Sequence, residues 1–349
     1  MSPRQATVIV EYDGKDITAD LAPFLKSVSY RDNLSGYADD IEIKLEDRKG
    51  LWIGEWFPER GATLDITIAL SNWETGGDVK IEKIVRLGTF EIDEISGSAP
   101  PSEVSVKAVS VPDGNTLRGT EKTRSWEKAE LKTIAKDIAD GAGLELVFDT
   151  EENPTPDRIE QTEESDLAFL LKLCGDHGLA LKIHDGQLVI FDEIDYESAD
   201  AIATIVKPGT ETAAENVIDK IISYSFRAGT RDIFKSCHVQ YSDAESGETI
   251  EATFTDESKK DGKTLEVKEQ VKTVAEAEKL AKKRLREKNC DEFTMTFDVL
   301  GNLDLFAGAT VDVVGFGKFD GKYIIATANH DIGSGYTTSI EMRRCLNGY

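Results

Sequence analysis

Basic charge is what this chain is shortest of: 41 lysines and arginines stand against 66 aspartates and glutamates, a net charge of −25. A duplex nucleic-acid binder needs a basic footprint for the phosphates, so specific nucleic-acid binding is not expected. The same acidity argues against anionic membrane surfaces. Cysteine is scarce as well. Cys174, Cys237, Cys290 and Cys345 are widely separated, there is no CxxC, and the N-terminus MSPRQATVIVEYDG lacks the basic and apolar regions of a signal peptide. Synthesis and folding in a reducing bacterial cytoplasm follow as the expectation, with exit by lysis or as part of a particle. No apolar run approaches the roughly 20 residues that span a bilayer. Stable membrane insertion is therefore not expected.

Catalytic motifs are equally thin. Cys174 and His177 have the CxxH spacing of half a metal site, but the pair stands alone at a predicted helix end and Cys174 reads as core. His330-Asp331 and Asp176-His177 resemble hydrolytic dyads, yet no GxSxG elbow or recognisable cysteine nucleophile accompanies them, and neighbours in a strand face opposite ways. His184 and His238 fall in strand-like runs as packing or surface residues. GFGKFDG at Gly315 departs from both phosphate-loop patterns and precedes no helix, so its glycines read as a tight turn. Asp65, Glu91, Asp93 and Glu94 lie on alternating strands and read first as a solvated face, second as a glycosidase pair. The basic run KLAKKRLREK carries no interleaved aromatics and reads as the wet side of a helix. No catalytic residue, cofactor or metal is expected.

What is present is β pattern in quantity. The 349 residues, 40% of them apolar, suffice for two or three domains. Over residues 1–115, ATVIVEY, IEIKL, TLDITIAL and EVSVKAVSV alternate as half-buried strands do. Residues 116–205 change to helical spacing. Leu131, Ile134, Ala135 and Ile138 predict one helix, stopped by Gly141 and Gly143. A second starts at Ser165 as N-cap with Leu167, Leu170, Leu171 and Cys174 on one stripe. Then LALKIHDGQLVIF predicts a hairpin turning at Asp185-Gly186, with the acidic DTEENPTPDR left as a surface loop between the helices. Residues 206–349 return to β, interrupted over about 243–290 by a polar insertion that ends in a helix, Ala275 to Lys288. That helix is capped by Thr273 with Glu276, apolar along Ala277, Leu280, Ala281 and Leu285, and supported by Glu278 and Lys282.

One β segment occurs twice. GATLDITI from Gly61 returns as GATVDVVG from Gly308. Strand-like runs precede each copy (IEIKL, FTMTFDV) and follow it (GTFEIDEI from Gly88, GKYIIATA from Gly321), and SVSYRD at Ser27 has its echo in SYSFRA at Ser223. The copies differ most after the repeated strand. The first continues into SNWETGGDVKIEKIVR, whose Gly76-Gly77 suits a hairpin tip, where the second has only FGKFD. Trp73 in that hairpin is either an interface anchor or folded back on its own module. A module built twice in one chain lends a trimer local sixfold character.

In GTFEIDEISGSAPPSEVSVKAVSV at Gly88, IEQTEESDLAFLLKLCGDHGLALKIHDGQLVIF at Ile159 and FAGATVDVVGFGKFDGKYIIATANHDIGSGYTTSIEMRR at Phe306, the chain resembles the phage late control gene D family. These are baseplate hub proteins of contractile tails and injection systems, and they include the hub portion of VgrG-type proteins. The resemblance covers most of the chain. It implies a β-rich mixed α+β fold: two similar tube-like β-barrels and a small α+β unit, with the second barrel interrupted by the insertion. It further implies a non-enzymatic homotrimer that adapts the sixfold tail tube, or a tube-initiator ring, to a trimeric spike around a central channel. The net charge of −25 itself reads first as solubility and protection from self-association, and second as an acidic inner wall of such a channel. Tape-measure and baseplate wedge proteins are further implied partners, and the particle is a phage tail, a headless tailocin or an injection machine. Because the sequence stops at Tyr349 soon after its last strand, the spike is expected to be a separate polypeptide. Gly61, Thr63, Gly308, Thr310 and Trp73 are the expected interface residues, with long and short hairpins alternating around the ring. The competing reading is a tail enzyme that binds or cleaves peptidoglycan through the α+β unit and the barrel carboxylates Asp65 and Glu91.

Overall fold

Strands form where apolar residues alternate, because only the extended backbone sends every second side chain to one face. A computed structural model describes residues 3–59, 61–73, 81–111, 116–242, 249–346 and 348–349. It is β-rich, with 48% strand and 17% helix. The chain divides into two units: Met1–Glu193 with Val299–Ala307 and Thr327–Ile340, and Ile194–Asp298 with Gly308–Ala326 and Glu341–Tyr349.

In the first unit, five strands lie side by side and antiparallel in the order Leu25–Asn33, Asp40–Glu46, Glu103–Val109, Ile81–Ser98, Thr63–Ser71. Gln5–Tyr12 pairs along the outer edge of the last. Ile41, Ile43 and Leu45, with Leu64, Ile66 and Ile68 and with Val104, Val106 and Ala108, turn inward from three of these strands and are buried. The alternation of the sequence is thus the alternation of burial.

The same unit holds a second core. Helices Leu131–Gly141 and Asp166–Asp176 pack with the sheet Ala180–His184, Gln187–Phe191, Glu145–Asp149 around Ile134, Ile138, Leu170, Leu188 and Ile190. Ser165 caps the second helix, accepting from the Ala168 amide at 3.3 Å. Asp185 and Gly186 take φ of 46° and 74°, as a tight two-residue hairpin turn requires. The buried stripe of that helix differs from the expected one: Asp166, Phe169, Leu170, Leu173 and Cys174 face inward. Residues 167–171 are all apolar, so spacing alone leaves the stripe's phase open; Phe169 sets it by stacking on Trp126, centroids 5.3 Å apart. Two further strands, Glu121–Glu127 and Arg158–Ser165, pair with each other. The expected surface loop therefore ends in a strand.

A second five-strand set repeats the first in the order Ile221–Ala228, Phe293–Leu300, Tyr336–Arg344, Gly321–Ile332, Thr310–Val314. Ala203–Val206 runs along the outer edge of the last, parallel to it. FKSCHVQY, which lies in the stretch 206–242 expected to belong to the second barrel, is a strand but joins another sheet. The strand Phe234–Ser242 forms a separate sheet with Thr249–Thr255 and Lys263–Val267, under the helix Val274–Asn289. Cys237 and Val239 from the sheet meet Ala277, Ala281 and Leu285 from the helix, so this strand is drawn to the insertion by its own apolar pair. Thr273 caps the helix as expected, accepting from the Glu276 amide at 3.1 Å, while Glu276 accepts from the Lys272 amide at 2.7 Å. Lys282 lies over the Phe254 ring.

Closure is the point on which the expected architecture needs correction. Among the described residues no sheet closes on itself; both five-strand sets are parts of one open 14-stranded sheet, joined where Thr327–Ile332 pairs with Leu25–Asn33. Alternation dictates which face of a strand is buried, but closure depends on pairing the first strand with the last, which no side-chain pattern encodes.

Candidate functional site

The repeated strand is the place to begin, because register tests whether two similar octamers are one structural unit. Laying Gly61 on Gly308 sets Ile66 on Val313 and Leu64 on Val311. In the first copy Ile66 faces Gly88 and Leu64 faces Phe90; in the second Val313 faces Gly321 and Val311 faces Tyr323. The backbone bonds agree as well. Ile92 donates to the Ala62 carbonyl at 3.0 Å and Ile325 to that of Ala309 at 2.9 Å. Phe90 and Tyr323, at matching positions, are among the largest fully buried side chains. The two copies are one module in one register.

Gly61 and Gly308 open the repeated strands with φ of 78° and 94°. Only glycine enters that region without strain, which explains why both copies begin with it. The threonines two residues on serve differently. Thr63 donates its amide and hydroxyl to Asp13 Oδ1 at 2.8 and 3.1 Å, tying the strand to the Asp13-Gly14 turn. Thr310 is buried and its hydroxyl donates to the carbonyls of Ala199 and Asp200 at 3.0 and 3.1 Å. Both edges of each repeated strand are occupied within the chain, by Gln5–Tyr12 and Ile81–Ser98 in one case and by Ala203–Val206 and Gly321–Ile332 in the other. Trp73 folds back onto its own unit. Its Nε1 donates to the Gly301 carbonyl at 2.7 Å, its ring lies 5.3 Å from that of Tyr336, and the Arg4 guanidinium sits over it. The hairpin tip at Gly76-Gly77 lies outside the described residues.

Two of the carboxylates considered for catalysis, Asp65 and Glu94, are engaged by cations. Asp65 takes two bonds from Arg86 Nε, at 3.0 and 2.9 Å, and Arg86 Nη1 reaches on to Asp185 at 2.5 Å. Glu94 pairs with Lys107 at 3.1 Å, and Asp93 is exposed. Cys174 is core, its thiol pushed up to about 12 by burial, and His177 is the C-cap of the same helix. Burial likewise pushes His330 down to about 4, so it is neutral near pH 7. It stacks on Tyr30, and its Nδ1 meets the Tyr336 hydroxyl at 2.8 Å, while its neighbour Asp331 is exposed. His238 faces Thr253 on the inserted sheet. Among the described residues no group of three or more His, Cys, Asp or Glu is placed to hold a metal ion.

Three buried charge clusters escaped sequence reasoning. Lys182 pairs with Asp32 and, at 3.3 Å, with Asp39, whose other partners are His184 Nδ1 and the Asn33 amide. Asp32 also accepts from the Ala307 amide at 2.8 Å. Burial raises the Asp32 carboxyl, and the Lys182 charge opposes that rise. Asp166, the aspartate of the ESDLAFL motif, is buried at the first turn of its helix between Lys122 and Arg124, each at 2.6 Å, and Gln161 at 2.9 Å. In the second unit Glu197 binds Arg286 and Arg343 and accepts from the Leu346 amide at 3.2 Å. Burial alone would raise Glu197; hydrogen bonds and charge from the two arginines outweigh it and hold the carboxyl low. The partners in these clusters lie far apart in sequence, so nothing local marks them. Their geometry is that of braces, since each carboxylate is saturated by fixed donors.

A chain with a duplicated strand module and buried charge braces calls for comparison with known assemblies. The family described as phage tail baseplate hub (GPD) matches residues 92–336. The chain belongs to that family. A curated relative, the probable baseplate hub protein of Escherichia phage P2, is 30% identical over 178 residues, which is 51% of this chain and 43% of the relative. The match thus spans less than half of the relative's length. Among solved structures, the tail protein from Neisseria meningitidis MC58 superposes with a TM-score of 0.71 at 16% identity, covering 97% of this chain and 96% of that one. The 43 kDa tail protein of prophage MuSo2 from Shewanella oneidensis gives 0.70 at 15%, covering 97% and 98%. These two share the fold.

Proposed function

We propose that this chain is a structural baseplate hub that works as a homotrimer. Residues 1–115 and 206–349 supply the two like modules of each subunit, and residues 116–205 an α+β unit. Three subunits place six similar modules around a central channel, one side of which accepts the hexameric tube or its initiator and the other a threefold spike. The observation that carries this reading is the shared register of the two modules, since a threefold protein meets a sixfold partner by presenting near-equivalent surfaces twice per chain. An acidic channel wall, past which a polyanion slides without sticking, would draw on the chain's excess of 66 acidic over 41 basic residues. Synthesis is cytoplasmic, and the working location is a tail or injection particle; among the described residues no helix is long and apolar enough to cross a membrane.

Catalysis plays no part in this reading. Asp65, which a glycosidase mechanism would need free, is held by Arg86. Mixing the purified protein with its spike and tube proteins tests the proposal by size-exclusion chromatography and mass photometry. Complexes of three hub chains with one trimeric spike are expected. A hub that binds neither, or one that turns over purified peptidoglycan and loses that activity with Glu91→Gln, contradicts it.

A further inference from the structure

One strand junction is completed within this chain, and among the described residues both halves of its twin are left open. Leu25–Asn33 is paired along both edges, with Asp40–Glu46 on one and with the second half of Gly321–Ile332 on the other. In that second pairing Ala328 faces Asp32, Asn329 faces Arg31, His330 faces Tyr30 and Asp331 faces Ser29. The counterpart of Leu25–Asn33 in the other module is Ile221–Ala228, which pairs with Phe293–Leu300 alone. Among the described residues no strand lies on its second edge. Ile222, Tyr224 and Phe226 on this strand are 61%, 43% and 60% exposed, whereas Val28 and Tyr30, at the positions matching Tyr224 and Phe226, are buried.

The other half is found the same way. Laying Gly88 on Gly321 puts Phe90, Ile92 and Ile95 on Tyr323, Ile325 and Ala328, so the end of Ile81–Ser98 corresponds to Thr327–Ile332. Thr63–Ser71 follows that strand only as far as Glu91, and from Glu94 to Ser98 its partner is Glu103–Val109 alone. Among the described residues its second edge is open too, and Glu94, Ser96, Gly97 and Ser98 are exposed. An unpaired edge beside exposed Ile, Tyr and Phe side chains is a site for strand addition and a liability if left bare.

We propose that Ser225–Ala228 of one copy pairs antiparallel with Ile95–Ser98 of a second copy, in the register of the junction already present within the chain. Ile95 then faces Ala228, Ser96 faces Arg227, Gly97 faces Phe226 and Ser98 faces Ser225. The side chains transfer with the register. Arg31 donates its Nε to Asn329 Oδ1 at 3.1 Å, and Arg227 meets the hydroxyl of Ser96 at the same place. The contact joins two different patches, so it runs head to tail and repeats until the ring closes. The inference rests on the trimeric hub reading and names the surface through which copies meet.

Cross-linking tests it on the full chain. Cross-strand Cα atoms lie roughly 4.5–5.5 Å apart, within reach of a disulfide. The double variant Ser96→Cys with Arg227→Cys is compared with each single variant and with Arg31→Cys plus Asn329→Cys, which closes inside one chain and controls for folding and oxidation. The expected result is a covalent ladder ending at three chains, with a yield roughly tenfold or more above either single variant because the thiols are held together rather than meeting by diffusion. Three-chain particles in mass photometry, with the internal control closed and the intermolecular pair no better than the single variants, overturn this register and leave the hub reading standing. A chain that stays monomeric at its highest soluble concentration overturns both.

Discussion

The two modules share strand order, strand register and the aromatic pair Phe90 and Tyr323, yet they treat their surroundings differently. The first buries its outer strand: Tyr30 lies between Phe90 and His330, and Asp32 is locked to Lys182. The second leaves the matching Phe226 and Ala228 exposed. Internal positions are thus copied and peripheral ones are not. What holds each module together is alike in the two, and what differs is the treatment of their edges.

Breaking the brace that only the first module has should produce the largest effect. Lys182→Met leaves Asp32 and Asp39 buried without their cation, and a loss of about 3–5 kcal/mol is expected in urea denaturation. Ala228→Ser, at the matching place in the second module, should be nearly silent in the same assay. A contrast that fails to appear would mean the brace is not what distinguishes the modules.

Acid should act on the first module through His330. Its folded pKa, about 4, lies below the ordinary 6.5, so the unfolded chain binds the proton more readily. The stabilisation is complete above pH 6.5 and is lost as pH falls toward 4, by up to roughly 3 kcal/mol at about 1.4 kcal/mol per pH unit. Comparing His330→Gln with the parent chain in denaturation series at pH 7, 5.5 and 4.5 isolates this share; the variant's stability should fall less steeply.

Smaller effects sharpen the comparison further. A Cβ on Gly301 would stand 2.2 Å from the Tyr336 ring, so Gly301→Ala should displace the ring that packs on Trp73, costing about 1–3 kcal/mol by thermal melting and shifting Trp73 fluorescence. The repeated threonines provide the finest test. Thr310→Val takes the buried hydroxyl from the carbonyls of Ala199, which keeps Lys322 Nζ, and Asp200, and should cost about 1–2 kcal/mol, whereas Thr63→Val, at a partly exposed strand start, should cost about 0.5 kcal/mol.

Much of this was legible in the sequence, for reasons that particular residues make plain. The repeat itself, Gly61 onward and Gly308 onward, is readable because its apolar alternation is local; Asp185-Gly186, Ser165 and Thr273 are readable because turns and caps are satisfied within a few residues. The strand Phe234–Ser242 was misplaced because its alternation says that it is a strand but not which sheet it joins. Lys182, Asp166 and Glu197 were missed because their partners are remote in sequence, and a charged residue ordinarily reads as surface. The carboxylates Asp65 and Glu91 stood out in the sequence only because strand alternation cannot show that Arg86 already occupies Asp65. The open edges were invisible for a plainer reason: backbone donors and acceptors are the same at every residue.

The central claim, that one module built twice makes a threefold hub with sixfold character, is tested most directly by cryo-electron microscopy of the purified protein with its spike. The account predicts three chains and six similar strand modules around a channel, with the longer hairpin after Ile68 and the shorter turn after Gly315 alternating around the axis. A twofold dimer, or three chains whose two modules lie at different radii from the axis, would contradict it.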